Sequence, residues 1–289
     1  MKKKHLRTGE RELWLFLLPS LIGFALFYIL PFALSVQYAV TQSAADASFV
    51  GFANLIATAQ SPSFQTALLN TGRFMAVCIP LSFVLPFMLA SFLQTLPRAK
   101  GAFMLLIMLP LAIPSGAITN FWDILFGRYG VLNKALYAAG SQPVFWLDSG
   151  LSFGVSVFMY LWKNMGYNVV LFAVALSDIP GEYFEVARLD GAGSWARFRY
   201  ITLPCILPMG FFIFMLSFIN GFRAFKEVYL LMGRYPHEGV YMLQHYMHNQ
   251  FGAMNMQTLS ASAYLFTAGI AIVVLALFQA QRVAARDFE

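Results

Sequence analysis

Lys163-Asn164, Gly166, Tyr167 and Asn168 interrupt a long apolar stretch, and Ser217, Asn220, Gly221, Arg223, Lys226 and Glu227 crowd the end of another. Amides, hydroxyls and cations in this pattern bind and orient a polar solute; none of them forms a nucleophile with a base beside it. On a helix Asn220 and Arg223 share a face, as do Arg223 and Lys226, because each pair is three residues apart. Two readings of this face stay open. It lines a polar pathway together with 163–168, or Arg223, Lys226 and Glu227 pair with one another at an interface with their stems on apolar surface. Lys163 lies deeper in its stretch and fits the first reading better.

Other chemistries find no support. The Gly-x-x-x-x-Gly-Lys-Ser/Thr phosphate loop is missing from the sequence, so the chain does not read as an ATPase, and any energy input comes from elsewhere. His245-x-x-His248 has a spacing compatible with a metal but no acidic neighbour on the same face, and reads as part of a polar loop. Nucleophile-elbow and zinc-protease motifs are lacking. Cys78 and Cys205, each in or beside an apolar run, offer no disulfide framework and read as small packing residues.

The elements that position the polar residues follow from composition. Of 289 residues, 59% are hydrophobic and 11% charged, well below the roughly 25% charged residues of soluble domains. Apolar stretches near 13–38, 67–95, 102–124, 151–176, 204–226 and 258–280 predict six membrane-spanning helices and place both termini on one side. The first follows a basic segment like a signal peptide but is too long and lacks a cleavage site, so it is expected to be a retained span. Twelve basic residues (Lys2, Lys3, Lys4, Arg7, Arg11, Arg98, Lys100, Arg188, Arg197, Arg199, Arg282, Arg286) fall on the side of the termini. Six (Arg73, Arg128, Lys134, Arg223, Lys226, Arg234) fall opposite. The termini are therefore expected in the cytoplasm, and the net charge of +6 is a topology signal rather than a nucleic-acid patch. Pro80, Pro86, Pro110, Pro114, Pro204 and Pro208 break the spans and favour a bundle with an interior over a simple anchor. The loops 39–66, 125–150 and 227–257 are too short for a separate globular domain, so 1–289 reads as one transmembrane domain.

Between the fourth and fifth spans lies 179–204, a charged segment bounded by apolar runs. Pro180 suits a helix start, Glu182 and Glu185 lie near its positive end, Gly191 supplies a left-handed stop, and Ser194 is placed to cap a second short helix. Tyr183, Phe184, Val186, Ala187 and Leu189 put apolar surface on a cytoplasmic loop, where a partner is expected to cover it.

The run Glu185-Val186-Ala187, Asp190-Gly191-Ala192 and Ile201-Thr202-Leu203-Pro204, preceded by Ile179-Pro180, resembles the Glu-Ala-Ala loop of bacterial ATP-binding-cassette importer permeases. Leu109 to Pro114, Gly130-Val131-Leu132-Asn133 and Phe225 to Tyr229 resemble further signatures of the carbohydrate, or maltose-type, group, and the resemblance covers nearly the whole chain. Val186 stands in place of the usual first alanine. Met232-Gly233-Arg234-Tyr235-Pro236 stands where many relatives carry a glycine-glycine-proline turn.

The resemblance implies an all-α, six-span permease of the type I importer fold, multi-pass in the bacterial cytoplasmic membrane. It implies three partners besides the lipid bilayer: a second permease subunit, a dimer of ATP-binding subunits and an extracytoplasmic solute-binding protein. It implies that 179–204 is the coupling loop, with Glu185, Ala187, Asp190, Gly191 and Pro204 as its ATPase-coupling residues. By family position the solute-facing residues come from around Gly166 and from Ser217, Asn220, Gly221 and Arg223, which joins the segment Lys163, Asn164, Tyr167 and Asn168 to the expected substrate pathway, with Tyr167, Phe218 and Phe222 as stacking rings. It implies no catalytic residue, no metal and no cofactor bound by this chain, since ATP and magnesium belong to the partner ATPase. The expected cargo is a sugar or oligosaccharide; glycerol phosphate, or another polyol or acidic sugar derivative, is the alternative. A secondary transporter with its own ion coupling is a rival that would work with the ATPase inactivated.

Overall fold

The computed structural model describes residues 14, 16–43 and 46–286, with side chains to 279. The basic residues at 2–11 and the side chains of Arg282 and Arg286, which carry much of the expected orientation, lie outside the described residues.

In chain order the helices are α1 (Phe16–Val40), α2 (Ala53–Gln60), α3 (Pro62–Gln94), α4 (Lys100–Ala112), α5 (Ser115–Phe126), α6 (Val131–Ala138) and α7 (Ser152–Ser177). They continue as α8 (Gly181–Leu189), α9 (Ser194–Arg197), α10 (Leu203–Arg223), α11 (Phe225–Met232), α12 (Leu243–Gly252) and α13 (Met256–Arg286). Among the described residues, four helical runs are long and apolar enough to cross a membrane: Phe16–Val40, Pro62–Gln94, Ser194–Met232 and Met256–Gln279. A fifth counts if the pair Lys100–Ala112 and Ser115–Ala138 is one span. That pair is bent by 97°, so the stretch expected as a single third span is two helices. Pro114 causes the break: it adopts an extended ψ of 142° and starts α5, while Ile113 ends α4 in an extended conformation.

The chain divides into two compact units. The first holds the described residues up to Ser61 together with Met247–Ile272. Its α1 exposes nearly every large apolar side chain, as a helix facing hydrocarbon does. Phe32 and Tyr264 pack with ring centroids 4.7 Å apart, Tyr264 donates its hydroxyl to the Phe32 carbonyl, and Ser35 Oγ donates to Tyr264 at 3.1 Å.

The second unit, Pro62–Tyr246 with the chain from Val273, is organised around α7. This helix packs against α3, α4 and α10 and buries Val155, Tyr160, Val169, Phe172 and Ala173. It is long enough to span but is not among the four most apolar runs, and its polar groups find partners within the protein. Asn168 donates to the Ser82 carbonyl at 3.0 Å and to Ser217 Oγ at 3.2 Å, and Tyr160 donates to the Ser217 carbonyl at 2.9 Å. Gly166 permits the crossing with α4, since a Cβ there would overlap the Ile107 backbone. At the C-terminal end of α7, Lys100 donates to Gln94 at 2.9 Å and to Ser177 at 2.8 Å, joining α3, α4 and α7.

One apolar cluster joins Leu93, Phe172, Ile206 and Ile213; a second joins Phe74, Cys78, Tyr160 and Val228. Cys78 is a core residue as expected from its surroundings, whereas Cys205 is exposed and does not pack within this chain. His245 is not a loop residue. It is buried in α12 with its ring 4.7 Å from that of Phe225, and its Nδ1 accepts the Met242 amide.

Candidate transport cavity and coupling loop

A cavity of about 410 Å³ lies where α5, α7, α10 and α11 meet the end of α4. Lys163 stands at its wall with 18% of its side chain exposed, and its Nζ lies 2.5 Å from Oε1 of Glu227, itself 16% exposed. Ser115 Oγ accepts from Lys163 at 3.0 Å and donates to Glu227 at 2.8 Å. The cation in the middle of α7 is thus answered by a carboxylate and a hydroxyl from two other helices, which offsets the cost of placing a charge there. Glu227 also sits in the first turn of α11, where a negative charge is favoured.

Four of the sequence-predicted pathway residues line the cavity: Lys163, Asn164, Asn220 and Arg223. Arg223 and Lys226 are exposed along it, on either side of a helix interruption at Ala224. Glu227 therefore pairs across the fold with Lys163, not with its neighbours Arg223 and Lys226. Gly166, Tyr167, Asn168, Ser217 and Gly221 are not among the described residues that line the cavity. Asn168 and Ser217 are spent on each other in the helix packing, and Gly221 lies against Met75. Of the predicted rings, Phe222 lines the cavity and Phe218 is buried. Sequence reasoning did not place Ser115, Ser156, Tyr160 and Phe225 in the lining. A signal for Glu227 did exist: a lysine inside an apolar stretch demands a carboxylate, and Glu227 is one of the few acids beside such a stretch.

The loop 179–204 is a second, separate candidate site. Pro180 occupies the N-cap of α8, Glu182 its first turn and Arg188 its last, so both charges suit the helix dipole. Gly191 has φ of +76°; the Ala192 amide donates to the Ala187 carbonyl at 2.8 Å and the Gly191 amide to that of Arg188 at 3.1 Å, closing a Schellman turn. The cap of α9 is Gly193 rather than Ser194, whose hydroxyl instead accepts from Arg197 Nη2 at 3.2 Å. Phe184 packs onto the Leu93–Phe172 cluster and anchors the loop, leaving Tyr183, Val186 and Leu189 exposed around Glu185. Ala187 is half-buried, Asp190 exposed, and Pro204 opens α10 after a π-helical turn at Phe198–Thr202.

Residues 82–286 match the model of a family described as "Binding-protein-dependent transport system inner membrane component". The chain belongs to this family. It is a multi-pass, non-catalytic permease subunit, and ATP hydrolysis in such transporters belongs to a separate subunit. The chain is similar to the lactose transport system permease protein LacF of Rhizobium radiobacter, 30% identical over 221 residues, covering 75% of this chain and 74% of that one. In fold it is similar to a bacterial ABC transporter involved in the import of the acidic polysaccharide alginate. There the TM-score is 0.81 at 22% identity, over 96% of this chain and 99% of the other. A bacterial alginate ABC transporter in complex with an alginate pentasaccharide-bound periplasmic protein gives 0.79 at 20% identity, over 96% and 95%.

Proposed function

We propose that this permease is one subunit of an ATP-driven importer that moves a sugar or oligosaccharide across the bacterial cytoplasmic membrane by alternating access. The observation that carries the reading is the cavity beside Lys163, lined by amides, cations and rings and set among membrane-long helices. Family membership and the names of the relatives support the carbohydrate class. In this reading six spans cross the bilayer, with the bent α4–α5 pair as one and α7 as another, and both termini are cytoplasmic. A second permease completes the pathway, a pair of ATPases sits below, and a solute-binding protein delivers from outside. The alginate transporter supports the last of these partners, since it forms a complex with a periplasmic protein bound to alginate pentasaccharide.

The ATPase would seat around Glu185, Ala187, Asp190 and Gly191, whose anchor Phe184 ties them to the core containing α7. Closure of the ATPases on ATP would move this loop as a unit and turn the spans around the cavity. The chain itself would bind neither nucleotide nor metal. The test is uptake by the assembled transporter in proteoliposomes. Uptake should vanish when the ATPase is inactivated, and should also vanish with Glu185→Lys while the permease still inserts. Uptake that persists without ATP hydrolysis would move the protein to the secondary transporters.

A further inference from the structure

We propose that the transported solute carries an anionic group, a carboxylate or a phosphate, received by Arg223 and Lys226. The inference rests on the reading of the cavity as the transport path and narrows its cargo. Lys163 is already neutralised by Glu227, so it contributes hydrogen bonds rather than net charge. Arg223 and Lys226 line the same cavity, and neither has an acidic partner among the described residues. The cavity therefore holds two uncompensated positive charges on one helix edge.

A neutral sugar does not require them, because side-chain amides such as those of Asn164 and Asn220 suit its hydroxyls. In a cleft with partly apolar walls, like charges raise the local concentration of anions. A guanidinium also matches the two oxygens of a carboxylate or phosphate in a way that an ammonium does not. Arg223 and Lys226 are three residues apart on the continuous run Ser194–Met232, so their side chains lie on one face and can both reach one anion.

The experiment uses the assembled transporter in membrane vesicles, with Cys78→Ala, Cys205→Ser and Asn220→Cys in this chain. Modification of the new thiol by an anionic and by a cationic methanethiosulfonate is followed on this chain by mass. The ratio of anionic to cationic rate should fall by about five-fold or more when Arg223→Gln and Lys226→Gln are added, and should fall with salt. A smaller change overturns the proposal while leaving the path intact. No reaction with either reagent overturns the path reading itself. Millimolar digalacturonate, glycerol 3-phosphate and lactose are then compared as protectants. Stronger protection by digalacturonate assigns a carboxylate, and by glycerol 3-phosphate a phosphate. Equal or greater protection by lactose, or none by either anion, overturns the proposal.

Discussion

Lys163 on α7 and Glu227 on α11 hold each other at 2.5 Å across 64 residues of sequence, with Ser115 of α5 bonded to both. Three helices that border one cavity are thereby tied through a single charge pair. Replacing Lys163 alone leaves a carboxylate without its cation. Lys163→Met is expected to cost about 1–3 kcal/mol, read as a lowered melting temperature of the purified complex. Lys163→Met with Glu227→Gln should recover at least half of that loss, and strictly additive effects would mean that the pair contributes nothing.

Asn133 is buried and makes five hydrogen bonds: Nδ2 to the carbonyls of Gly127, Arg128 and Val144, and Oδ1 from the Val144 amide and Trp146 Nε1. Asn133→Leu strands these groups and should destabilise the loop by roughly 2–4 kcal/mol. Limited proteolysis should then cut near residues 127–146 first. Asn133→Asp keeps both accepted bonds but turns a carboxylate oxygen toward three carbonyls, so it should not restore the loop.

Gly166→Ala drives a methyl into the Ile107 backbone and should force α4 and α7 apart. Gly154→Ala on the same helix meets open space and serves as the control. Yield and melting temperature of the assembled complex should drop for the first and hold for the second.

Gly191→Val asks a β-branched residue to adopt φ of +76°, a strain of about 1–2 kcal/mol confined to the exposed turn. Solute-stimulated ATPase activity should fall several-fold while insertion is unchanged. Gly191→Asn, which tolerates this conformation, should retain most of the activity.

Leu189 is 88% exposed and makes no contribution to the core, whereas Phe184 is packed on the Leu93–Phe172 cluster. Leu189→Asp should therefore release the ATPase during copurification with a normal melting temperature. Phe184→Ala should lower both. A Leu189→Asp complex that stays fully assembled would remove this surface from the docking site.

The sequence by itself determined the membrane class, the absence of a nucleotide loop and the shape of 179–204. These rest on local physics: run length against bilayer thickness, and the helix-start and helix-stop preferences of Pro180 and Gly191. It also placed Lys163, Asn164, Asn220 and Arg223 among the polar residues worth following. Only the tertiary structure decided which polar residues meet. Asn164 and Asn168 are four apart and share a face of α7, yet one reaches the cavity while the other is consumed by Ser82 and Ser217. Ser115 and Glu227 come to Lys163 from two other helices, the first of them redirected by the 97° bend after α4, while the bare Cα of Gly166 lets α4 lie close against α7. Periodicity tells which residues share a helix face, but the neighbour that face meets is set by close packing of helices distant in sequence.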